Sequence, residues 1–178
     1  MSFAHGNLNS ECSTSCTSYS YDRENRLVAV TGAASAGLRY DPLGRLHEVT
    51  GPAGTTRFVY DGDDLVMEYD GAGALRRRYV HGADGGDDPV VWYEGATMAD
   101  SAMRFLRTDE RGSVVTVSTA STVLAINRYD EYGIPASGNL GRFQYTGQAW
   151  LSEIGMYYYK ARIYSPTLGR FLQTDPIG

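Results

Sequence analysis

Short segments of alternating apolar and polar residues, separated by turn residues, cover most of the chain. From residue 17 to residue 81, aromatic or β-branched residues alternate with polar ones, and Gly, Asp or Asn recurs between the segments. This alternation with such punctuation predicts short β-strands joined as hairpins. Beyond that stretch the spacing loosens, and we expect further strands at 78–82, 89–93, 105–108, 113–118 and 123–129. The predicted fold class is all-β, built from antiparallel hairpins.

A tyrosine followed by an aspartate recurs along the chain. The first three copies begin 19 and then 20 residues apart, and two more follow further along. A period near 20 residues is typical of a small supersecondary unit that buries its apolar face only by stacking against its neighbours. The five copies are Tyr21-Asp22, Tyr40-Asp41, Tyr60-Asp61, Tyr69-Asp70 and Tyr129-Asp130.

The second copy carries the clearest turn. Pro42 presets its own φ, Gly44 accepts a positive φ, and Asp41 is able to bond to its own turn before Arg45. In the first copy Asn25 takes the place of the glycine, because asparagine tolerates the left-handed region.

Strands are expected to leave these two turns at 27–31 and 46–50. Strict alternation would put Leu27, Ala29 and Thr31 on one face, with Val28 and Val30 on the other. It would likewise separate the trio Leu46, Glu48 and Thr50 from His47 and Val49.

Charge and hydropathy exclude two classes of partner. The net charge is −5, and the chain has a single lysine, Lys160, so a general nucleic-acid-binding surface is not expected. No segment approaches the roughly 20 apolar residues that a membrane span needs. We expect neither a nucleic-acid partner nor a transmembrane helix.

Sites for metals and cofactors are weakly indicated. Cys12 and Cys16 are the only cysteines, and their spacing favours a free or disulfide-paired loop over half of a zinc site. His5, His47 and His81 lack finger-like spacing. The acidic turns at 62–64 and 86–88 do not follow the twelve-residue calcium-loop pattern, and a turn is expected at 85–89. We predict no metal and no cofactor.

Several motifs resemble the Rhs, or YD-repeat, family and its Rhs-associated core region. Residues 21–27 and 40–46 resemble the repeat consensus, and 79–82, 88–90 and 109–113 resemble the segments that close the repeat array. The carboxyl-terminal stretch is similar to the core signature. Its motif residues here are Tyr158, Arg162, Pro166, Gly169, Arg170, Phe171, Pro176 and Gly178. The resemblance divides the chain into repeat hairpins at 1–81 and a core region at 82–178.

The resemblance implies a curled, spiralling sheet that forms the wall of a shell around a carboxyl-terminal toxin, as in bacterial polymorphic toxins. A chain of 178 residues supplies only the last turns of such a shell. Many family members also cut the toxin free with an aspartyl autoprotease. Asp175 is the carboxylate that this activity would use here, and Ser165 stands where many relatives carry aspartate.

Three functional hypotheses follow. The first is a structural β-repeat module whose partners are the remainder of a shell and its toxin. The second is half of an aspartyl autoprotease, because that chemistry needs a second carboxylate beside Asp175. The third is a surface module that associates with itself through strand edges, or binds glycans through its tyrosines. Localisation is expected to be secreted or cell-surface, as a soluble part of a larger exported protein.

Overall fold

The computed structural model describes residues 1–4, 6–12, 15–83 and 88–175. Regular structure in these ranges consists of β-strands and two single 3₁₀ turns, Asp100–Ala102 and Tyr145–Gly147. The predicted all-β class is therefore confirmed. No helix in the described ranges has the length and apolar character needed to cross a membrane.

Within the described ranges, seventeen strands form two antiparallel sheets. The larger sheet contains β1 Ser2–Ala4, β2 Asn7–Cys12, β3 Cys16–Tyr21, β4 Leu27–Gly32, β5 Ala36–Tyr40, β6 Leu46–Gly51, β7 Gly54–Asp61, β8 Asp64–Asp70, β9 Leu75–His81, β10 Pro89–Glu94, β11 Met103–Thr108, β12 Val114–Ser118 and β13 Val123–Ile126. The smaller sheet contains β14 Ala149–Leu151, β15 Met156–Tyr159, β16 Arg162–Ser165 and β17 Arg170–Phe171.

Strand order follows chain order in both sheets. Each strand pairs with the strand before it and the strand after it, from β1 to β13 and again from β14 to β17. Short connections between consecutive strands give antiparallel hairpins, because a parallel pairing needs a long crossover. The predicted succession of hairpins is confirmed.

The chain divides into two compact units. The first combines Met1–Thr56 with Leu151–Gly178, and the second is Arg57–Trp150. The first unit is thus assembled from both ends of the chain. The division at 81 and 82 that the motifs suggested concerns sequence regions rather than compact units, and it stays a prediction.

The core of the first unit repeats every 19 residues. Leu8, Leu27 and Leu46 begin or lie near the start of β2, β4 and β6, and all three are fully buried. Val30 and Val49 are buried three positions after the last two leucines. The repeats that begin at Leu27 and Leu46 therefore contribute the same pair of apolar residues, which matches the expectation of stacked identical units.

The buried pairs show that the predicted strict alternation was wrong. Leu27 and Val30 are both buried although alternation assigned them to opposite faces, and Leu46 and Val49 behave alike. The cause is a β-bulge directly after each turn: pairing passes from Ser20 with Ala29 to Tyr21 with Leu27. One extra residue, Val28, shifts the phase of the strand. Equivalent bulges follow the turns that lead into β6, β9 and β12.

The second unit has an aromatic core. Phe58, Tyr79, Trp92 and Phe143 are buried there together with Val117. The rings of Tyr79 and Phe143 meet edge to face with centroids 4.9 Å apart. Such pairs add to the stabilisation that comes from burying their apolar area.

Candidate functional site: the aspartate turns and the carboxyl-terminal sheet

The Tyr40-Asp41 turn shows the design of the repeat. Oδ1 of Asp41 accepts the backbone N–H of Leu43 and of Arg45, both at 2.9 Å. Oδ2 accepts Nε of Arg45 at 2.8 Å. The Asp41 N–H donates to the Arg45 carbonyl, and the Gly44 N–H donates to the Asp41 carbonyl. Gly44 has φ of 83°, so the predicted left-handed position is confirmed.

The same turn recurs at four other aspartates. In every case one carboxylate oxygen accepts the N–H groups two and four residues later, and the residue three positions later has a positive φ. The aspartates are Asp22, Asp70, Asp109 and Asp130. Gln144 makes the same two backbone hydrogen bonds, but Thr146 in its loop also has a positive φ. The turn at Asp109 follows a threonine, so a search for tyrosine-aspartate pairs alone misses it.

Tyr60-Asp61 is followed by a different connection. Asp61 ends β7 and Asp64 begins β8, so only Gly62 and Asp63 join the two strands. A two-residue hairpin has no N–H four positions along the same loop for the aspartate to bond. Tyr60 and Asp61 match the repeat in sequence, while the local backbone follows another turn type.

Two of the repeat tyrosines, Tyr21 and Tyr40, bond to the preceding repeat. The Tyr40 hydroxyl donates to the Leu27 carbonyl at 2.9 Å, and the Tyr21 hydroxyl donates to the Leu8 carbonyl at 2.6 Å. Burial raises the pKa of both hydroxyls above the ordinary tyrosine value. The Arg26 guanidinium lies 5.0 Å from the centre of the Tyr40 ring, a cation–π distance. Tyr21 and Tyr40 therefore each fasten one repeat to its neighbour.

Two of the turn carboxylates, Asp41 and Asp22, have a lowered pKa. Desolvation raises the pKa of Asp41, but the hydrogen bonds and charge from Arg45 outweigh this effect and leave that pKa below the ordinary value. The pKa of Asp22 is lowered in the same way, with desolvation opposed by Arg26. These aspartates act as structural acceptors in the turns.

Glu68, in the second unit, is a buried carboxylate that the sequence analysis did not identify. Glu68 is buried, and its Oε1 accepts Nε of Arg142 at 2.7 Å and the Tyr79 hydroxyl at 2.8 Å. Nη1 of Arg142 donates to the Trp150 carbonyl at 2.7 Å. The Arg77 guanidinium lies 3.9 Å from Oε2. We call Glu68, Tyr79, Arg77 and Arg142 the Glu68 cluster.

The Glu68 cluster ties the irregular segment around residue 142 to β8 and β9. Desolvation raises the pKa of Glu68, but the charges of Arg142 and Arg77 and the hydrogen bonds outweigh it, so this pKa is lowered. Burial and the Glu68 charge raise the pKa of Tyr79. One feature of the sequence could have predicted that Glu68 is buried. In β4 and β6 a buried leucine is followed three residues later by a buried valine, and Glu68 stands three residues after the buried Leu65.

The core-signature residues form the smaller sheet in the first unit. Tyr158 and Pro166 are buried, and the Tyr158 hydroxyl accepts the Leu46 N–H at 2.9 Å. Gly169 has φ of 62° in the turn between β16 and β17, a conformation that favours glycine. Arg170 is exposed and lies over the Phe3 ring at 4.9 Å.

Aromatic rings and Arg162 hold β15, β16 and β17 of this sheet together. Tyr159, Tyr164 and Phe171 meet in edge contacts with centroids 5.3 to 5.7 Å apart. The Arg162 guanidinium lies 4.0 Å from the centre of the Phe171 ring. The structure therefore brings Arg162 and Phe171 of the core signature into contact.

Asp175 lies beside a cation. Its Oδ2 is 3.3 Å from Nη2 of Arg162, and 61% of its side chain is exposed. An aspartyl protease needs a second carboxylate close enough to share a proton. Pro176 and Gly178 lie outside the described residues, and the catalytic role of Asp175 stays a prediction.

The segment before Asp175 is clamped to β2. The Leu8 N–H donates to the Leu172 carbonyl at 2.9 Å, and the Thr174 N–H donates to Oδ1 of Asn7 at 3.1 Å. Asn25 donates from Nδ2 to Oγ1 of Thr174 at 3.0 Å and accepts from Nδ2 of Asn7. We call Asn7, Asn25 and Thr174 the asparagine clamp.

Cys12 and Cys16 form a disulfide between β2 and β3, where they pair directly across the two strands. Of the alternatives left open by their spacing, the structure contains the disulfide. Among residues 1–4, 6–12, 15–83 and 88–175, no group of three or more His, Cys, Asp or Glu is placed to hold a metal ion. His5 and the turn residues Gly85, Gly86 and Asp87 lie outside the described residues.

Comparison with known proteins supplies the family. The RHS Repeat profile matches residues 40–86. The tRNA3(Ser)-specific nuclease WapA of Bacillus spizizenii is 30% identical over 171 residues, which are 89% of this chain and 7% of that protein. Double-stranded DNA deaminase toxin A of Burkholderia cenocepacia is 30% identical over 200 residues, covering 90% of this chain and 14% of that protein. The chain thus spans only a small part of these relatives.

The fold has a counterpart among solved structures. The crystal structure of TcdB2-TccC3-Cdc42 superposes on 97% of this chain and 9% of the solved chain, with a TM-score of 0.68 and 19% identity. That likeness concerns the fold. The profile match and the 30% identity to WapA over 89% of this chain show that the chain belongs to the RHS-repeat family.

Proposed function

We propose that this chain is a structural segment of a protein shell that surrounds a toxin domain. The observation that carries the proposal is that relatives with different activities share the same segment. WapA is a tRNA nuclease and toxin A is a DNA deaminase, yet each matches about nine tenths of this chain. A segment common to unrelated chemistries supplies what those proteins have in common, so enclosure fits it better than catalysis.

The geometry supports a wall. Strand order follows chain order through thirteen strands, so added hairpins extend the sheet without a crossover. Each aspartate turn satisfies its own backbone groups, and Tyr21 and Tyr40 bond to the repeat before them. Such nearest-neighbour bonding lets a sheet grow by repetition, as in other repeat proteins.

The partners and location follow as part of the same proposal. The chain binds the remainder of its shell through sheet contacts, and the shell holds a toxin domain of the same polypeptide. The protein acts outside the cell that produces it, as the names of the toxin-bearing relatives suggest. The net charge of −5 fits a wall that does not itself bind nucleic acid.

The test is limited proteolysis of the natural gene product that contains this chain, followed by mass spectrometry. Polypeptide outside residues 1–178 should resist protease in the native protein. The variant Leu27→Asp places a charge in the fully buried core and should expose that polypeptide, whereas the exposed control Leu43→Asp should not. Equal digestion in the native protein and in Leu27→Asp would overturn enclosure.

A further inference from the structure

The last strand of the larger sheet is an apolar edge. β13 has one strand neighbour, β12, within the part of the chain that the structure describes. The side chains of Leu124 and Ile126 remain 43% and 62% exposed, and Val123 is exposed as well. Residues 113–127 contain no charged side chain. Exposed edges in natural sheets usually carry charges or proline that block pairing, and β13 has neither.

The backbone groups that face outward from β13 follow from its pairing with β12. The Asn127 N–H donates to the Val115 carbonyl at 3.0 Å, and Ala125 pairs with Val117 two residues further along. In an antiparallel ladder, alternate residues direct their backbone groups to opposite sides. The N–H of Ile126 and the carbonyl groups of Leu124 and Ile126 therefore point away from β12.

We propose that β13 pairs with β13 of a second copy of this chain, antiparallel, about a two-fold axis at Ala125. In this arrangement the Ile126 N–H of each copy donates to the Leu124 carbonyl of the other. Leu124 of one copy lies opposite Ile126 of the other, and the two Ala125 residues face each other on the axis. The small alanine side chain permits the close approach of a pair that is not hydrogen-bonded.

Self-complementarity is the reason to assign this edge to a second copy. The two-fold arrangement sets apolar side chains opposite apolar side chains at both positions and places no charge against another. At the other end of the strand order, β1 has three residues and begins with Ser2. If Leu124 and Ile126 both lay opposite residues of this three-residue strand, one of them would face the polar Ser2.

A bulge limits the strength of the association. The register of β12 with β13 shifts between Val117 and Ser118, so the regular part of β13 is short. A short contact buries less than the roughly 1,200 Å² of a standard interface, which makes the pairing weak and reversible. A closed two-fold pair also leaves no edge at β13 for further growth. The inference is independent of the toxin shell, since an enclosing wall and a wall that pairs with another copy are separate properties.

The first experiment is sedimentation velocity on the full chain from about 10 µM to about 1 mM, where weak interfaces associate. We expect monomers and dimers in a concentration-dependent ratio. Leu124→Glu/Ile126→Glu sets like charges opposite each other and should weaken dimerisation at least about tenfold. Leu124→Glu/Ile126→Lys sets opposite charges across the same axis and should restore it. The control Val59→Glu/Val80→Glu changes two exposed valines on strands paired on both sides, and should leave dimerisation unchanged.

The second experiment tests the axis directly. Ala125→Cys should form an intermolecular disulfide under mild oxidation, because residues on the axis face each other, whereas Val123→Cys should cross-link far less. A monomer at every concentration, association unaffected by the paired glutamates, or open-ended oligomers would each overturn the proposal. Protection of the Ile126 amide from hydrogen exchange in a monomeric natural product would also overturn it, by showing that the edge is covered within one molecule.

Discussion

Asp41 and Glu68 are both carboxylates with a lowered pKa and an arginine partner, yet they hold the protein together on different scales. Asp41 bonds to Arg45, four residues along the chain, and to backbone N–H groups of its own turn. Glu68 bonds to Arg142, which is 74 residues away, at a buried position. The first arrangement is local: its arginine bond recurs at Asp22, and its backbone bonds recur at the other aspartate turns. The second is long-range and has no copy in the part of the chain that the structure describes, so its loss has no counterpart to compensate.

Because of this contrast, we expect Glu68→Ala to cause the largest loss in the free energy of unfolding. Its removal leaves the Arg142 guanidinium buried without its main partner, and we expect a loss of about 3 to 5 kcal/mol in the free energy of unfolding. Urea denaturation followed by circular dichroism measures this loss. Glu48→Ala, at an ion pair with exposed Arg39, serves as the matched control and should cost less than about 1 kcal/mol.

Replacing both Glu68 and Arg142 tests whether the loss comes from leaving Arg142 without its partner. Glu68→Leu/Arg142→Met replaces the ion pair with apolar side chains, and it should be more stable than Glu68→Ala alone. If Glu68→Ala and Glu48→Ala cost the same, the Glu68 cluster is not the long-range tie described here.

The next largest loss of stability should distinguish the turn at Asp41 from the turn at Asp61, which share the tyrosine-aspartate motif. Asp41→Ala removes an acceptor for two backbone N–H groups and one guanidinium, and should cost about 1 to 3 kcal/mol. Asp61→Ala, in the two-residue hairpin, should cost less than about 0.5 kcal/mol. Thermal and urea denaturation of the two variants provides the comparison. Equal losses would mean that the two aspartates have the same structural role.

Acid should weaken both kinds of carboxylate bond together. The folded-state pKa values of Asp22, Asp41 and Glu68 are lowered, so the unfolded chain takes up protons first as the pH falls. Their contribution to stability is complete above the ordinary carboxylate pKa of about 4 and is lost as the pH falls through the folded values. Urea midpoints measured from pH 7 down to pH 2 should decrease below that point. Asp41→Asn should flatten part of the decrease, and a stability that rises on acidification would contradict the assignment.

The smallest effect concerns the left-handed position of the turn. Asn25 occupies this position in the first repeat with φ of 67°, and Gly44 occupies it in the second. Gly44→Asn should therefore cost only about 0.5 kcal/mol or less, whereas Gly44→Ala should cost about 1 kcal/mol, because alanine lacks asparagine's tolerance of that conformation. Melting temperatures of the two variants are sufficient to rank them, and the reverse order would refute the equivalence of the two turns.

Local chemistry explains how much of this protein the sequence could predict. The turn at 40–45 was predictable because Asp41, Pro42 and Gly44 each specify their own backbone. The buried faces of β4 and β6 could not be predicted, because one bulged residue reverses the alternation and no sequence motif identifies that residue. Arg142 lies in a segment without regular periodicity, so nothing near it in sequence points to Glu68.

In the carboxyl-terminal region, too, some residues could be predicted from the sequence and others could not. Tyr158 and Gly169 were identified from a sequence resemblance, and the structure gives them a packing partner and a left-handed turn. The asparagine clamp was not predicted, since Asn7 and Thr174 are 167 residues apart and neither belongs to a motif. Contacts between distant residues require the fold to be known first.

The bond between the Leu8 N–H and the Leu172 carbonyl, which lies beside the asparagine clamp, has a consequence for synthesis on the ribosome. The Leu8 N–H obtains this partner only after residues 9–172 have been made. Until then this position of β2 lacks its bond to the carboxyl-terminal segment. A chaperone that shields extended strands would act best during this interval, and arrival of the carboxyl-terminal segment would end its access.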